Sequence, residues 1–329
     1  NTAKRSRTTV EALEIKGYRY AAVNKAVKKM KLATLKVTYN DLLFLAISFL
    51  WIAVSILLST CVNGVLAIGV TFVIITGGID LSIGTVMTFS AVMAGVASTS
   101  MGAPLIVTIL VGILTGAACG LITGLLVSRL KIPPFIATLG MMMVTKGLSL
   151  VLSGAKPIYF EGNFSNISMG NLIPSIPNAV IIFILLALLA SYILNKTLLG
   201  RYNFAIGSNE EATRLSGLKT NKWTTIIYAL NGAFCGIAGI LMASRLGSAQ
   251  PALGQGYELE AIAAVVIGGT SLAGGTGTII GTVIGAFIMS VLTSGLKIMA
   301  VPQEWQTVVI GIVVIIAVFI DILRRRKKA

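Results

Sequence analysis

The sequence predicts an all-α integral membrane protein with about ten transmembrane helices. Of its 329 residues, 56% are hydrophobic and 11% are charged, and the mean hydropathy of +0.92 lies well above that of soluble domains. Ten apolar stretches approach the length of about 20 residues that a helix needs to cross a bilayer. Glycine-rich segments interrupt some of these stretches, which indicates broken or re-entrant helices.

The predicted spans follow one another with short connections, so we expect both termini on one side of the membrane. The spans cover residues 42–60, 62–79, 81–100, 104–128, 134–153, 175–195, 223–243, 258–270 with its glycine-rich sequel, 278–296 and 303–322. Within the fourth of them, small residues recur at a spacing of four, which permits close helix packing. These residues are Gly112, Gly116, Gly120 and Gly124.

Basic residues predict the orientation of the spans, because Lys and Arg concentrate in cytoplasmic loops. One face carries the basic segment 1–41, Arg129, Lys131, the loop 196–222 and the basic tail 324–329. The opposite face carries mainly Lys156, Arg245 and Lys297. We therefore expect a transmembrane domain over residues 42–323, with both termini and the loop 196–222 in the cytoplasm. The net charge of +15 is explained by this topology and by contact with membrane lipid, so no nucleic-acid partner is expected.

The composition excludes several kinds of chemistry. The chain has no histidine, so it has no histidine-based acid–base catalysis and no histidine metal ligand. Its three cysteines lie far apart in apolar stretches and are expected to be buried thiols. The dipeptide Gly-Lys does not occur, so a phosphate-binding loop of the usual kind is absent. We expect no catalytic residue, metal or cofactor in this chain, and any ATP and Mg must be bound by a partner.

The polar loop between the sixth and seventh spans reads as a short capped helix. Asn209 can accept a hydrogen bond from the amides of the first turn, and Glu210 and Glu211 lie where the helix dipole favours anions. Gly217 follows as a typical helix stop. A connecting loop has little need of such caps, which suggests that another protein holds this helix.

Asp80 lies between two apolar stretches in the segment 76–84, TGGIDLSIG. A carboxylate at such a place is expensive unless it faces water or a partner. Two roles remain open and are compatible: Asp80 can cap the helix that follows, or it can contact a transported solute.

A similar segment occurs near the other end of the chain. Aligning residues 268–275, GGTSLAGG, with 77–84 matches three glycines, places Ser271 opposite Asp80 and places Leu272 opposite Leu81. Paired glycine interruptions of this kind often lie beside the pathway of transporters. The preceding Glu258 and Glu260 do not share a helix face, so we expect them at an entrance or an interface.

Seven segments in order resemble the sugar-importing ABC permeases of the ribose and galactose type. They are 62–69 (VNGVLAIG), 76–84 (TGGIDLSIG), 133–140 (PPFIATLG), 200–217, 248–251 (SAQP), 256–264 (GYELEAIAA) and 268–271 (GGTS). The resemblance covers about residues 60–322. It departs from the family before residue 62, because residues 42–60 continue into this motif without a loop.

The resemblance implies a permease subunit in the bacterial cytoplasmic membrane that moves a monosaccharide or similar small polar solute by alternating access. It implies three protein partners: a second permease subunit, identical or different, a cytoplasmic ABC ATPase and an extracytoplasmic sugar-binding protein. The ATPase would bind a coupling helix formed by Asn209, Glu210, Glu211, Ala212, Ser216 and Gly217. We expect the pathway to involve Asn63, Asp80, Ser82, Thr138, Gln250, Glu258 and Ser271.

Two other functions are less compatible with the residues. A cation-coupled secondary transporter would need several ionisable groups inside the membrane, and Asp80 and Lys146 are the clear candidates. An intramembrane enzyme would have to work without histidine and without paired carboxylates. Import that depends on an ion gradient and not on ATP would indicate the first alternative, and activity of the isolated chain would indicate the second.

Overall fold

A computed structural model describes residues 39–174 and 176–326, and the regular secondary structure of this part of the chain is almost entirely helical. The helices are α1 (Tyr39–Ile75), α2 (Ile83–Ser100), α3 (Leu105–Ser128), α4 (Pro134–Ser153), α5 (Asn166–Met169), α6 (Asn178–Lys196), α7 (Leu198–Ser208), α8 (Glu210–Leu215), α9 (Thr220–Leu246), α10 (Tyr257–Ile267), α11 (Ile279–Ile298) and α12 (Gln303–Arg326). Two short strands, β1 (Ile158–Tyr159) and β2 (Ser248–Ala249), pair antiparallel. The predicted all-α membrane fold is confirmed.

Within the described residues, eight helices are long and apolar enough to cross a membrane: α1 over Ile56–Ile75, α2, α3, α4, α6, α9, α11 and α12 over Gln303–Leu323. The sequence predicts two further spans. The predicted spans 42–60 and 62–79 are joined in a single helix, α1, which ends at Ile75. No helix ends between the two spans, because neither Gly nor Pro occurs in residues 42–61. The predicted span 258–270 with its glycine-rich sequel contains the 11-residue helix α10, whose length of about 16 Å is too short to cross a bilayer, and the sequel is the loop that follows it.

The residues from Ala53 onward form one compact unit, and every contact below lies within it. Residues 1–38 of the predicted basic segment and residues 327–329 of the predicted basic tail lie outside the described part of the chain.

The core of the unit is the spanning part of α1. In its most apolar window, 94% of the residues are buried, whereas in α12 only 6% are buried. A helix that is apolar on all sides must be surrounded by protein or lipid. We conclude that α1 lies inside the helix bundle and that α12 turns most of its apolar surface outward.

The glycine face of α3 packs directly against α9. A Cβ atom added to Gly116 would overlap the carbonyl oxygen of Gly232, and one added to Gly236 would lie 2.7 Å from the carbonyl oxygen of Gly112. At one end of this interface the hydroxyls of Ser128 and Thr225 are 2.7 Å apart. The predicted close packing is confirmed, and it is backbone against backbone.

Contacts between helix ends define the two sides of the bundle. Lys131, just after α3, lies 3.5 Å from Glu210 of α8, and the end of α1 meets α7. We call this the α8 side. On the opposite side, Ile158 and Tyr159 pair with Ala249 and Ser248 at the end of α9.

Candidate functional site

The helix α8 has the caps that its sequence predicts. Asn209 Oδ1 accepts a hydrogen bond of 2.9 Å from the amide of Ala212, and Gly217 ends the motif at φ +92°. No residue of α8 is buried. The structure therefore presents a short, fixed helix on the surface, with its side chains free to meet another protein.

Ion pairs hold α8 to itself and to its surroundings. Arg214 Nη2 donates to Glu211 Oε1 at 2.6 Å, and this bond lowers the pKa of Glu211. Lys131 Nζ lies 3.5 Å from Glu210 Oε1 and donates to Asn221 Oδ1 at 3.0 Å. Ion pairs between exposed side chains add little to the stability of a fold, because water and salt screen them. They therefore orient α8 more than they stabilise it.

The neighbouring helix α7 connects α8 to the interior. Its Gly207 packs so closely against the end of α1 that an added Cβ would overlap the carbonyl oxygen of Ile75 and lie 2.6 Å from the amide of Gly275. The Gly275 amide itself donates to Ile75 O at 2.8 Å. If α8 moved, α7 would move with it, because the two helices are consecutive in the chain. The movement would therefore act on the end of α1 and on the loop 268–278.

Asp80 lies in the first break, between α1 and α2, and is only 2% exposed. Its Oδ1 accepts from the amide of Ser82 at 2.8 Å and from its hydroxyl at 2.6 Å. Its Oδ2 accepts from Asn231 Nδ2 of α9 at 2.8 Å. The N-cap position of α2 is Ser82, so Asp80 fixes the residue that begins the helix rather than capping its first turn.

The second break, between α10 and α11, lies against the first. Gly269, Gly274 and Gly275 have positive φ, and a Cβ on Gly274 would lie 2.9 Å from the amide of Gly77. Ser271 closes the loop, since its amide donates to Thr276 O at 3.1 Å. The two similar segments in the sequence are thus adjacent in space, at the place that α7 contacts.

A cavity of about 520 Å³ opens among α1, α9, α10, α11 and α12, towards the opposite side from α8. Its volume lies within the range of roughly 300–1,000 Å³ that is typical of small-molecule sites. Asn63 Nδ2 donates to Glu260 Oε2 at 3.0 Å at its wall. Within the described residues, the buried Asn63 Oδ1 has no hydrogen-bond partner.

Charged and amide groups surround the mouth of this cavity. Arg245, at the end of α9, donates to Leu58 O at 3.3 Å. Lys297, Gln303 and Gln306 come from the end of α11 and the beginning of α12. The cavity therefore offers hydrogen-bond donors and acceptors together, with apolar side chains between them.

The structure brings only some of the predicted pathway residues together. Asn63 lines the cavity. Asp80 and Ser82 bond each other in the first break, and Thr138 Oγ1 donates to Ile79 O there at 3.4 Å. Gln250 lines a separate small cleft, Glu258 accepts from the Gly256 amide at 3.1 Å, and Ser271 lies in the second break. Their roles in transport stay predictions.

The predicted pathway leaves out several residues that line the cavity, although some of them could have been noticed in the sequence. Arg245 and Lys297 are two of the few basic residues on the face opposite the basic loops, and both line the cavity. Glu260 also lines the cavity, and its role at an entrance stays a prediction. No local pattern marks Gln306 or Thr307.

The chain is similar to proteins of known transport systems. Residues 52–318 match a family described as "Branched-chain amino acid transport system / permease component". The chain is 42% identical over 273 residues to the ribose import permease protein RbsC of Escherichia coli K12, covering 81% of this chain and 84% of that protein. No solved structure matches significantly.

Two further relatives give the same result. Identity to the ribose import permease protein RbsC of Bacillus subtilis 168 is 43% over 279 residues, covering 84% of this chain and 85% of that protein. Identity to the galactose/methyl galactoside import permease protein MglC of Escherichia coli K12 is 38% over 292 residues, covering 83% and 87%. The prediction of a permease subunit is confirmed over that of a cation-coupled carrier. This chain belongs to the permease-component family of these transport systems.

Proposed function

We propose that this chain passes a monosaccharide, or a similar small polar solute, through the cavity lined by Asn63 and Glu260, as the permease subunit of an ATP-driven importer. The observation that carries this proposal is the polar wall of that cavity, where Asn63 Nδ2 donates to Glu260 Oε2 at 3.0 Å and the cations Arg245 and Lys297 contribute further donors. Sugar hydroxyls can donate to and accept from such groups, and the volume of about 520 Å³ lies within the range typical of small-molecule sites. The relatives named for ribose and galactose import support the same substrate class.

The solute reaches the cavity from the extracytoplasmic side, where a binding protein delivers it. The α8 side faces the cytoplasm of a bacterial cell, and a separate ATPase that binds ATP and Mg holds the coupling helix. A second permease subunit completes the transporter. Movement of α8 passes through Gly207 to Ile75 and Gly275, where the two breaks meet, and changes which side of the bundle is open.

The exposure of α8 supports its role in coupling. The proposed contact residues are those predicted from the sequence, Asn209, Glu210, Glu211, Ala212, Ser216 and Gly217. Their side chains are not needed for the core, and the caps give the helix a fixed shape that can transmit a displacement.

Reconstitution tests the proposal directly. Proteoliposomes containing this chain, its ATPase and its binding protein are supplied with labelled pentoses and hexoses. We expect uptake of at least one sugar that requires internal ATP and persists when ionophores remove ion gradients. Uptake that does not require ATP and is abolished by the ionophores would show a cation-coupled carrier instead.

Asn63→Leu should lower sugar uptake about tenfold, mainly through a higher apparent KM. Leucine has a similar volume but cannot hydrogen-bond to Glu260 or to the sugar, and one such hydrogen bond is worth about 1–1.5 kcal/mol. The control is Thr71→Val on the same helix, since Thr71 does not line the cavity. Its hydroxyl donates to Ala67 O at 2.7 Å and lies 2.8 Å from the hydroxyl of Thr282, so the control also removes buried hydrogen bonds. Equal uptake by both variants would contradict the cavity's role.

The double variant Asn209→Ala with Gly217→Val should insert normally yet lose ATP-driven uptake. Loss of the cap destabilises the helix by about 1 kcal/mol. The positive φ of Gly217 is strongly unfavourable for valine. Gly102→Val is the control, because Gly102 also has positive φ, lies in an open loop on the other side and meets no atom within 4 Å. Normal uptake by the double variant would remove α8 from the coupling mechanism.

A further inference from the structure

A second large cavity, of about 580 Å³, lies on the α8 side between α3, α8 and α9. Four cationic side chains line it: Arg129, Arg214, Lys219 and Lys222. It is separate from the cavity proposed for the solute. We call it the basic cavity.

The positive charge of the basic cavity is only partly balanced. Arg214 pairs with Glu211 at 2.6 Å and the nearby Lys131 pairs with Glu210 at 3.5 Å. The five cations and these two carboxylates leave a formal excess of three positive charges. None of the residues that line the cavity is acidic. An anion that enters it is therefore attracted by the cations and is not repelled by a carboxylate on the wall.

The beginning of α9 adds to this field. Lys219 is the N-cap residue, no side chain caps the helix, and its first turn contains no acidic residue. The carboxylate of Glu210 accepts a hydrogen bond of 3.4 Å from the hydroxyl of Thr220, the first residue of α9, so one counter-charge lies beside this helix end. The N-terminus of the 27-residue helix still lies at the cavity, because its first residues are among those that line it, and helix N-termini favour phosphate groups.

The rest of the lining identifies the environment as the edge of the bilayer. Leu125 and Ile226 line the same cavity and belong to helices that can span the membrane. Beside it, the rings of Tyr202 and Trp223 lie 4.8 Å apart between centroids, and such aromatic residues are enriched at the membrane–water interface. A ligand that fits both parts has an anionic head and an apolar body.

We propose that the basic cavity binds the phosphate headgroup of an anionic phospholipid, with the acyl chains running along α3 and α9. Basic pockets between spanning helices are a recognised form of lipid site. Because Arg214 belongs to α8, the bound lipid links the coupling helix to the ends of two spans. The binding itself does not depend on the identity of the transported solute.

Native mass spectrometry of the purified complete transporter tests this proposal. Phosphatidylglycerol is titrated against phosphatidylcholine, and we expect a clear preference for the anionic lipid. In the variant Arg129→Gln with Lys219→Gln, the apparent affinity should fall about 25-fold, since each cation near a membrane surface contributes roughly fivefold. Arg129→Lys with Lys219→Arg should restore binding.

The matched control is Lys196→Gln with Arg201→Gln. It removes two exposed cations from the same polar loop, but these residues do not line the cavity. Equal losses in both variants would show a general effect of charge and overturn the proposal. So would displacement of the lipid by millimolar inorganic phosphate, or the absence of a preference over phosphatidylcholine, because either result indicates a site for soluble anions or no site at all.

Discussion

Gly207→Ala should reduce ATP-driven uptake by at least about tenfold while the chain still reaches the membrane. The added methyl group would overlap the carbonyl oxygen of Ile75 and come within 2.6 Å of the Gly275 amide, whose hydrogen bond to Ile75 would have to lengthen. Overpacking of this kind costs about 1–3 kcal/mol. The strain falls at the point where α7 meets both breaks, so transport should suffer more than folding.

The control for this variant is Gly147→Ala in α4. Both glycines lie inside helices, but a Cβ on Gly147 meets no atom within 4 Å. Alanine is favoured over glycine in a helix by about 0.5–1 kcal/mol, so the control should be as stable as the parent or more so. Uptake and membrane abundance are measured for both. Parental uptake in Gly207→Ala would show that α7 does not transmit movement through this contact.

Asp80→Ala should lower both the amount of folded protein and the uptake, and by similar factors. The change removes three hydrogen bonds and leaves Asn231 Nδ2 buried without its acceptor. Breaking a buried network around a charged group costs about 3 kcal/mol or more. The thermal midpoint of the purified protein and the uptake per folded molecule are the two measurements.

Asp80→Asn separates the structural role from a role in transport. Its remaining oxygen can still accept from Ser82, and rotation of the Asn231 amide would turn Oδ1, which has no partner among the described residues, towards the new amide. We therefore expect a smaller loss than with alanine. An Asp80→Ala protein of normal stability and abundance that fails only in uptake would instead assign Asp80 to the solute pathway.

The sequence predicts well those features that are local. The cap at Asn209 depends on an interaction three residues away, and the glycine spacing of α3 repeats within one helix, so both could be identified from neighbouring positions. Asp80 was expected to cap α2 or to contact a solute, and in the structure it bonds Ser82, the residue that precedes the first turn of α2. Its second partner, Asn231, is 151 positions away, and no local pattern indicates it.

The same reasoning explains what could not be predicted. The cavity joins Asn63 to Glu260 over 197 positions, so its wall is set by helix packing and not by any motif. The division of α1 into two spans was wrong because the length rule for spans placed a boundary at residue 61, although residues 42–61 contain neither Gly nor Pro. The length of α10 was overestimated because apolar residues continue beyond the end of the helix. The glycines that follow form the break and end the helix earlier than the hydropathy indicates.

The contact between α3 and α9 determines how many spanning helices would move together with α8. Where Gly116 faces Gly232, no side chains lie between the two backbones, so no rotamer change can absorb a shear of one helix past the other. Only four residues separate α8 from α9. If α8 moves as proposed, the smallest rigid body that can follow it is therefore the pair of spanning helices α3 and α9.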